Sequence, residues 1–317
     1  MKNGILSLGE ALIDFIPLDE NNAIYQKSPG GAPANVAVGV ARLGVRSSFL
    51  GKVGEDVLGR FLHETLQGYG VRTDQMLLTP DVRTGVVFVT NGEDGERSFD
   101  FYIDPSADRF LHVDDLDEEE ILSHKILHFG SISLIGSPSR EATIQAVKTA
   151  KENGVLISYD PNIRMGLWES EEIARTTITS MLAEADVLKI SEEELAFLTG
   201  ETDIEAGVAI LKTYDIDLMF ITLGAEGSYV VTGEELRHVP TLKVKAVDTT
   251  GAGDAFVSGI LYSLHEYGGG LNELTIGDGV AMARFASVSG ALAASTKGAM
   301  TALPSIEEVK RLLTEEK

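Results

Sequence analysis

VDTTGAGDAF, Val247 to Phe256, sets glycine, alanine and glycine directly ahead of an aspartate and then runs into VSGILYSL. Phe256, Ile260 and Leu264 recur at i, i+4 and i+8, with Val257 and Leu261 beside them. That spacing predicts a helix with one apolar face, ending near YGGG. Gly251, Ala252 and Gly253 then stand at its first turn. The first N–H groups of a helix have no partner within it, and the helix dipole is positive there. Small residues leave those groups open to an anion, above all a phosphate. A carboxylate at such a mouth repels the anion, so Asp254 needs another purpose, such as taking a proton from an attacking hydroxyl. The alternative is that Asp248 or Asp254 caps the helix.

The rest of the chain sets this stretch in an α/β frame. GILSLG, SSFLGKVG, KILHFG, VLISYD, VLKIS and LMFITLG are short apolar runs. Helical patterns follow them, over about residues 57–69, 139–153 and 204–214. Strands alternating with helices predict a mostly parallel sheet covered on both faces. Ligands of such sheets lie beyond the C-terminal strand ends, and YDPN, KISEEE, TLGAEG and DTTGAGD all fall there. Residues 11–31 and 84–102 break the rhythm. The second reads as a hairpin with its turn over Asn91 to Gly95. Both are expected to form a small β-layer, a lid of about 12–30 and 84–108 within a single 317-residue α/β domain. The acidic run Asp114 to Glu120 reads as a solvated helix start.

Composition narrows the function. A formal net charge of −23 argues against nucleic acid and anionic membranes as partners. There is no cysteine, which excludes disulfides and thiolate chemistry, and the six histidines show no ligand spacing. Glu10 and Asp14 interrupt the N-terminal apolar run, so it does not read as a signal peptide. Arg284 and many small residues argue against a span at residues 281–294. A cytoplasmic location is the resulting expectation.

No Walker A loop is present: GKV at Gly51 fails in spacing and in its last residue. Nor does a dinucleotide fingerprint follow GILSLG, which argues against a nicotinamide-dependent oxidoreductase. A second glycine-rich stretch, GGAPANVAVGVARLG, runs from Gly30 to Gly44. Its glycines can bring backbone close to a ligand, and the Asn35 amide can both donate to and accept from hydroxyls. A turn leading into a small-residue packing helix is the other reading. Asp14, an acid in an apolar stretch, has either a structural partner or sugar hydroxyls to bind.

Together GGAPANVAVGVARLG and DTTGAGDAFVSGIL resemble the two signature motifs of the ribokinase-like carbohydrate kinases of the phosphofructokinase-B type. RSFDFYIDPSAD, HFGSISL, YDPNIRMGLW and TLGAEG are similar to the bacterial fructokinase branch, and the resemblance covers essentially the whole chain. It implies an α/β domain of eight or nine strands, a β-lid, and ATP-dependent phosphorylation of a sugar hydroxyl, fructose first. The same family also suggests 2-keto-3-deoxygluconate kinase, ribokinase and nucleoside kinase, and a sugar sensor that has lost catalysis is the reading from another class.

By resemblance, Asp254 is the base and Gly251, Ala252 and Gly253 form the anion hole, with Arg164 near the transferred phosphate. Asp14, Gly30, Gly31 and Asn35 match the sugar contacts, and Phe99, Phe101 and Tyr102 would close over the sugar. Lys189, Thr222, Gly224, Gly227 and Ser287 match nucleotide contacts. Glu194 matches an acid that organises Mg²⁺ through water, although Ser191 stands where the family often has asparagine. A K⁺ site would draw on Asp248, Thr250, Ala293, Thr296 and Gly298, with Ala302 replacing a possible hydroxyl ligand. Lids of this family often pair across a dimer, so a homodimer is expected. Lys27 and Arg97 are the basic residues placed near the lid, and neither belongs to a run that would hold a phosphorylated sugar.

Overall fold

In the computed structural model, residues 2–91 and 97–315 are described. The chain opens with β1 (Ile5–Leu8), β2 (Leu12–Pro17), β3 (Tyr25–Gly30) and α1 (Ala32–Arg42). β4 (Ser47–Gly54), α2 (Val57–Gly68), β5 (Arg72–Thr79), β6 (Gly85–Asn91) and β7 (Arg97–Phe101) follow. Next come α3 (Glu118–Ser123), β8 (Ile126–Phe129), α4 (Ser139–Glu152), β9 (Leu156–Tyr159) and α5 (Glu171–Ser180). β10 (Val187–Ser191), α6 (Glu192–Thr199), α7 (Ile204–Leu211) and β11 (Leu218–Thr222) complete the alternating part. A hairpin of β12 (Ser228–Thr232) and β13 (Glu235–Val239) precedes α8 (Ala252–Glu266), α9 (Ile276–Ala294) and α10 (Ile306–Glu315).

Nine strands form the main sheet in the order β13-β12-β11-β10-β9-β8-β1-β4-β5. It is parallel from β5 to β11, and β12 and β13 are antiparallel at one edge. Alternation along each strand divides the core between two faces. Ile5, Ile126, Val187 and Phe220 point towards residues of α1, α8 and α9. Leu6, Leu127, Ile157 and Leu188 point towards α4 and α5. The expected strands and helices are in place. β5, β12 and β13 are strands beyond the expected apolar runs, and β5 and β13 are largely polar.

The segments that break the rhythm form a second sheet of four strands, in the order β3-β2-β6-β7. The expected β6–β7 hairpin is present, while its turn at 92–96 lies outside the described residues. The acidic run starts a helix as expected: Asp117 caps α3, accepting the Glu120 N–H.

Two close helix crossings fix α8. At Gly259 an added Cβ would come within 2.7 Å of the Ala286 backbone in α9, and at Gly39 of α1 it would meet Ser258 Oγ at 2.2 Å. At the far end of α8 the Lys125 ammonium donates to the carbonyls of Leu264, His265 and Tyr267 at 2.8–3.0 Å. The helix whose first turn carries GAGD is therefore held at its middle and at its C-terminal end.

Candidate active site

The first turn of α8 is open. Gly251 stands at its N-cap with φ 80°, and no side chain caps the helix among the described residues. Asp248 instead accepts the N–H groups of Thr250 (3.0 Å) and Gly298 (3.2 Å). Asp254 is turned towards α1, where Asn35 Nδ2 donates to its Oδ2 at 2.7 Å. The N-cap position belongs to Gly251, while Asp254 is engaged with Asn35 and Asp248 with the Thr250 and Gly298 N–H groups.

Asp254 is only 8% exposed. Burial raises its pKa to about 6, against the Asn35 hydrogen bond, which lowers it. Asp160 raises it further, and Lys189 and Arg164 lower it. Asn35 sits in the first turn of α1, and its Oδ1 is buried without a partner among the described residues. Ser258, one turn below Asp254, donates to the Asp254 carbonyl (2.7 Å) and to Val36 O (3.3 Å).

Asp14 faces the same hollow from β2, and burial lifts its pKa to about 7, with Arg164 opposing and Asp254 adding to the shift. A Cβ at Gly30 would fall 2.2 Å from Asp14 Oδ2. At Gly31, where φ is 101°, it would fall 2.4 Å from Glu10 O. The two glycines thus make room for an acid and for the backbone beside it, and Gly31 also lines the hollow.

The hollow itself, about 440 Å³, collects Glu10, Asp14, Gly31, Asn35, Asp160, Arg164, Lys189, Gly251, Gly253 and Asp254. Leu12, Val87, Phe99 and Phe101 form its apolar side. Strand register explains the choice: Asp14 pairs with Val87, and Val87 with Phe101, so these share one face of the small sheet. Tyr102 departs from expectation. It follows Phe101 on the opposite face, packs edge-on to Phe88 with centroids 5.5 Å apart, and is 70% exposed. Lys27 does not reach the hollow either, since its ammonium lies over the Phe61 ring at 3.4 Å. The side chain of Arg97 lies outside the described residues.

A second hollow of about 460 Å³ shares Asn162, Arg164 and Lys189 with the first and adds Ser191, Glu193 and Glu194. Lys189 pairs with Asp160 at 3.2 Å. Burial works against its charge, but Asp160 and Glu194 more than offset this and hold its pKa above the ordinary value. Glu194 forms a capping box with Ser191 on α6. Its two oxygens accept the N–H groups of Ile163 and Ser191, each at 2.8 Å. Burial raises its pKa against the pull of Lys189. This carboxylate therefore also ties down the loop that carries Arg164.

The remaining expected residues are distributed around this centre. Thr222 pairs with Ser191 across β10 and β11, and Gly224 and Gly227 turn the chain after it with positive φ. None of these three lines either hollow. Ser287 on α9 lines a separate depression with Leu242, Arg284 and Lys310, and its Oγ is buried without a partner among the described residues. Segments 247–250 and 293–298 adjoin: Val247 and Asp248 donate to Ala294 O, while Ala293 O accepts the Thr296 N–H. The Thr296 hydroxyl donates to Leu292 O, and Ala302 is buried nearby in a helical turn. Glu10, Asp160 and Asn162 were not singled out from sequence as site residues. Their trace was only a charged or amide side chain at the end of an apolar run.

With that geometry in view, the relatives are informative. The model for "pfkB family carbohydrate kinase" matches residues 2–306. The chain belongs to the pfkB family of carbohydrate kinases. It is 45% identical over 320 residues to probable fructokinase-6, chloroplastic, of Arabidopsis thaliana, covering 98% of this chain and 82% of that one. It is 40% identical over 311 residues to a fructokinase of Vibrio alginolyticus, covering 98% and 99%. Among solved structures, the fructokinase of Vibrio cholerae O395 with fructose, ADP and calcium ion superposes with a TM-score of 0.89. There the identity is 41%, with 98% of each chain covered. This pfkB-family protein is therefore an ATP-dependent sugar kinase with the ribokinase-like fold.

The environment of Asp254 has a measurable consequence. Burial raises the pKa of Asp254 to about 6 and that of Asp14 to about 7, with Arg164 a charged neighbour of both and Asp160 and Lys189 further neighbours of Asp254. Asn35 contributes the largest lowering influence on Asp254. Asn35→Ala is expected to raise the pKa of the Asp254 carboxyl, and with it the acid limb of the kcat/KM profile for the sugar. A profile recorded between about pH 5 and 8 decides this, and an acid limb that stays in place contradicts it.

Proposed function

We propose that the protein phosphorylates a hydroxyl of unphosphorylated fructose with ATP, and that Asp254 is the base. The carrying observation is the arrangement at the mouth of α8, where a buried carboxylate held by Asn35 adjoins a helix end free of side-chain caps. Asp254 takes the proton of the attacking hydroxyl as the oxygen–phosphorus bond forms and the bond to ADP breaks. Gly251, Ala252 and Gly253 leave the helix mouth clear for the transferring phosphoryl group, and Arg164, which lines the same hollow, would supply positive charge to it. Phosphoryl transfer rests on such positioning and on positive charge or N–H groups around the developing negative charge.

Asp14 and the free Oδ1 of Asn35 suit neutral hydroxyls, and Phe99 and Phe101 suit the apolar face of a ring. We read the four-stranded sheet as the lid of a single α/β unit. A phosphorylated sugar would need a basic cluster. Among the described residues the cations lining the hollow are Arg164 and Lys189, and Lys189 is already paired with Asp160. For the nucleotide we keep Lys189, Thr222, Gly224, Gly227 and Ser287, which lie around the second hollow, on the loop after β11 and on α9.

ATP requires Mg²⁺ in this reading. Among the described residues no three acidic or histidine side chains form a metal cage. Glu194 stands at the second hollow and Asp160 at the first, and Lys189 lines both; Asp160 is engaged with Lys189 and Glu194 with backbone N–H groups. That donor set fits a hydrated ion held mainly by phosphate oxygens and reached by these carboxylates through water. When bound, the ion would neutralise phosphate charge. A K⁺ ion between segments 247–250 and 293–298 would add positive charge behind the anion hole. A homodimer fits the exposed Leu18, Ile24 and Tyr102 of the lid region. A monomer by light scattering at working concentration would set the dimer aside. We propose a cytoplasmic location; among the described residues no helix is long and apolar enough to cross a membrane.

Asp254→Asn should lower turnover by about 10²–10⁴-fold with little change in ATP affinity. In the same ADP-release assay, kcat/KM for fructose should exceed that for ribose and for fructose 6-phosphate by about a hundredfold, since unmet buried polar groups penalise the wrong sugar. Near-normal turnover of the variant sinks the base assignment, and a better competitor overturns the substrate. Glu194→Gln should raise the Mg²⁺ concentration needed for half-maximal rate, and exchanging K⁺ for Na⁺ should slow the enzyme. An unchanged Mg²⁺ titration would leave Glu194 as a loop anchor only, and equal rates in the two salts would remove the selective monovalent site.

A further inference from the structure

Glu10 is an acid that the proposed chemistry does not use. It lies 3% exposed in the short connection from β1 to β2, and it lines the sugar hollow. Its Oε1 accepts the N–H of Ala32, the first residue of α1, at 3.0 Å. No other side chain caps α1 among the described residues. The packing around it is equally tight. A Cβ at Gly31 would meet Glu10 O at 2.4 Å, and one at Gly9 would meet Pro33 Cγ at 2.6 Å. Residues 9–10 are thus fitted against residues 31–33.

What this joint connects gives it meaning. Four residues after Glu10, β2 presents Asp14, and three residues after Ala32, α1 presents Asn35. The two proposed sugar contacts stand on different elements, and the Glu10–Ala32 hydrogen bond joins them at their roots. We infer that Glu10 is a positioning residue: by anchoring the first turn of α1 to the start of β2, it sets the separation of Asn35 and Asp14 and thereby the sugar site.

The inference rests on the fructose kinase reading. Asp108, from the segment after β7, and Arg164, from the loop after β9, are the charged groups that act on Glu10, and burial dominates both, raising its pKa to about 8. Near neutral pH the group is therefore mostly an uncharged acceptor. A glutamine reproduces that acceptor, an alanine removes it, and an aspartate draws it back by one methylene.

The test compares Glu10→Gln, Glu10→Asp and Glu10→Ala with wild type, measuring fructose and ATP kinetics and thermal melting. Glu10→Ala should lose about tenfold or more in kcat/KM for fructose, the scale of a buried donor left unmet, while KM for ATP holds. Glu10→Asp should lose in the same sugar-selective way, and it keeps the test open if the alanine variant fails to fold. Glu10→Gln should restore most of the activity. The inference is overturned if Glu10→Ala, or Glu10→Asp where alanine does not fold, stays within about twofold of wild type. It is also overturned if the losses fall equally on sugar and ATP and follow the melting temperature, or if glutamine is no better than alanine. Should wild type turn over another sugar and not fructose, the substrate reading fails, and the same comparison on the accepted sugar still decides the role of Glu10.

Discussion

The contact on which the site depends is the 2.7 Å hydrogen bond from Asn35 to Asp254, made across the crossing of α1 and α8. Each helix is entered through glycine, α1 with Glu10 on its first N–H and α8 with no cap from its N-cap residue, and each presents its polar residue in the first turn. Placing those two turns together requires the helices to pack closely below them. Ser258 bonds across the crossing and Gly39 leaves it space. Gly259 does the same against α9. The small residues that read as permissive in sequence are thus mechanical: they bring two helix mouths to one point above the C-terminal ends of the sheet.

That point is electrostatically demanding. Asp14, Asp160 and Asp254 face a hollow whose cations among the described residues are Lys189 and Arg164, in a chain whose formal net charge is −23. Burial keeps Glu10, Asp14 and Asp254 weakly acidic, so they need not all be charged together near neutral pH. An anionic nucleotide can approach such a site only where positive potential is concentrated, at the mouth of α8 and beside Lys189, or with a metal ion accompanying it. The acidity of the chain and its use of ATP are consistent on those terms.

Much of this was legible in the residues. The apolar runs gave the parallel sheet, and GAGD and GGAPAN gave the two helix mouths, because glycine ahead of an apolar period leaves a plain signal. Asp254 and Asn35 stood out within those motifs. Tyr102 was misplaced because its neighbours are aromatic too, and only strand register distinguishes the face of Phe101 from that of Tyr102. Glu10 and Asp160 were overlooked for a different reason. Each owes its place to partners distant in sequence, Ala32 for one and Lys189 for the other, and no local pattern marks such a pairing. Glu194 illustrates the same limit: its spacing from Ser191 was visible, whereas its bond to Ile163 was not.

The proposed chemistry requires Asp254 to be a buried, weakly acidic carboxylate. Carbon-13 NMR of protein labelled at aspartate carboxyls, with the Asp254 signal assigned by its loss in Asp254→Asn, measures this directly. The account predicts a titration midpoint near 6 in the sugar-free enzyme. A midpoint at the ordinary aspartate value of about 4 would show a solvated carboxylate and contradict it.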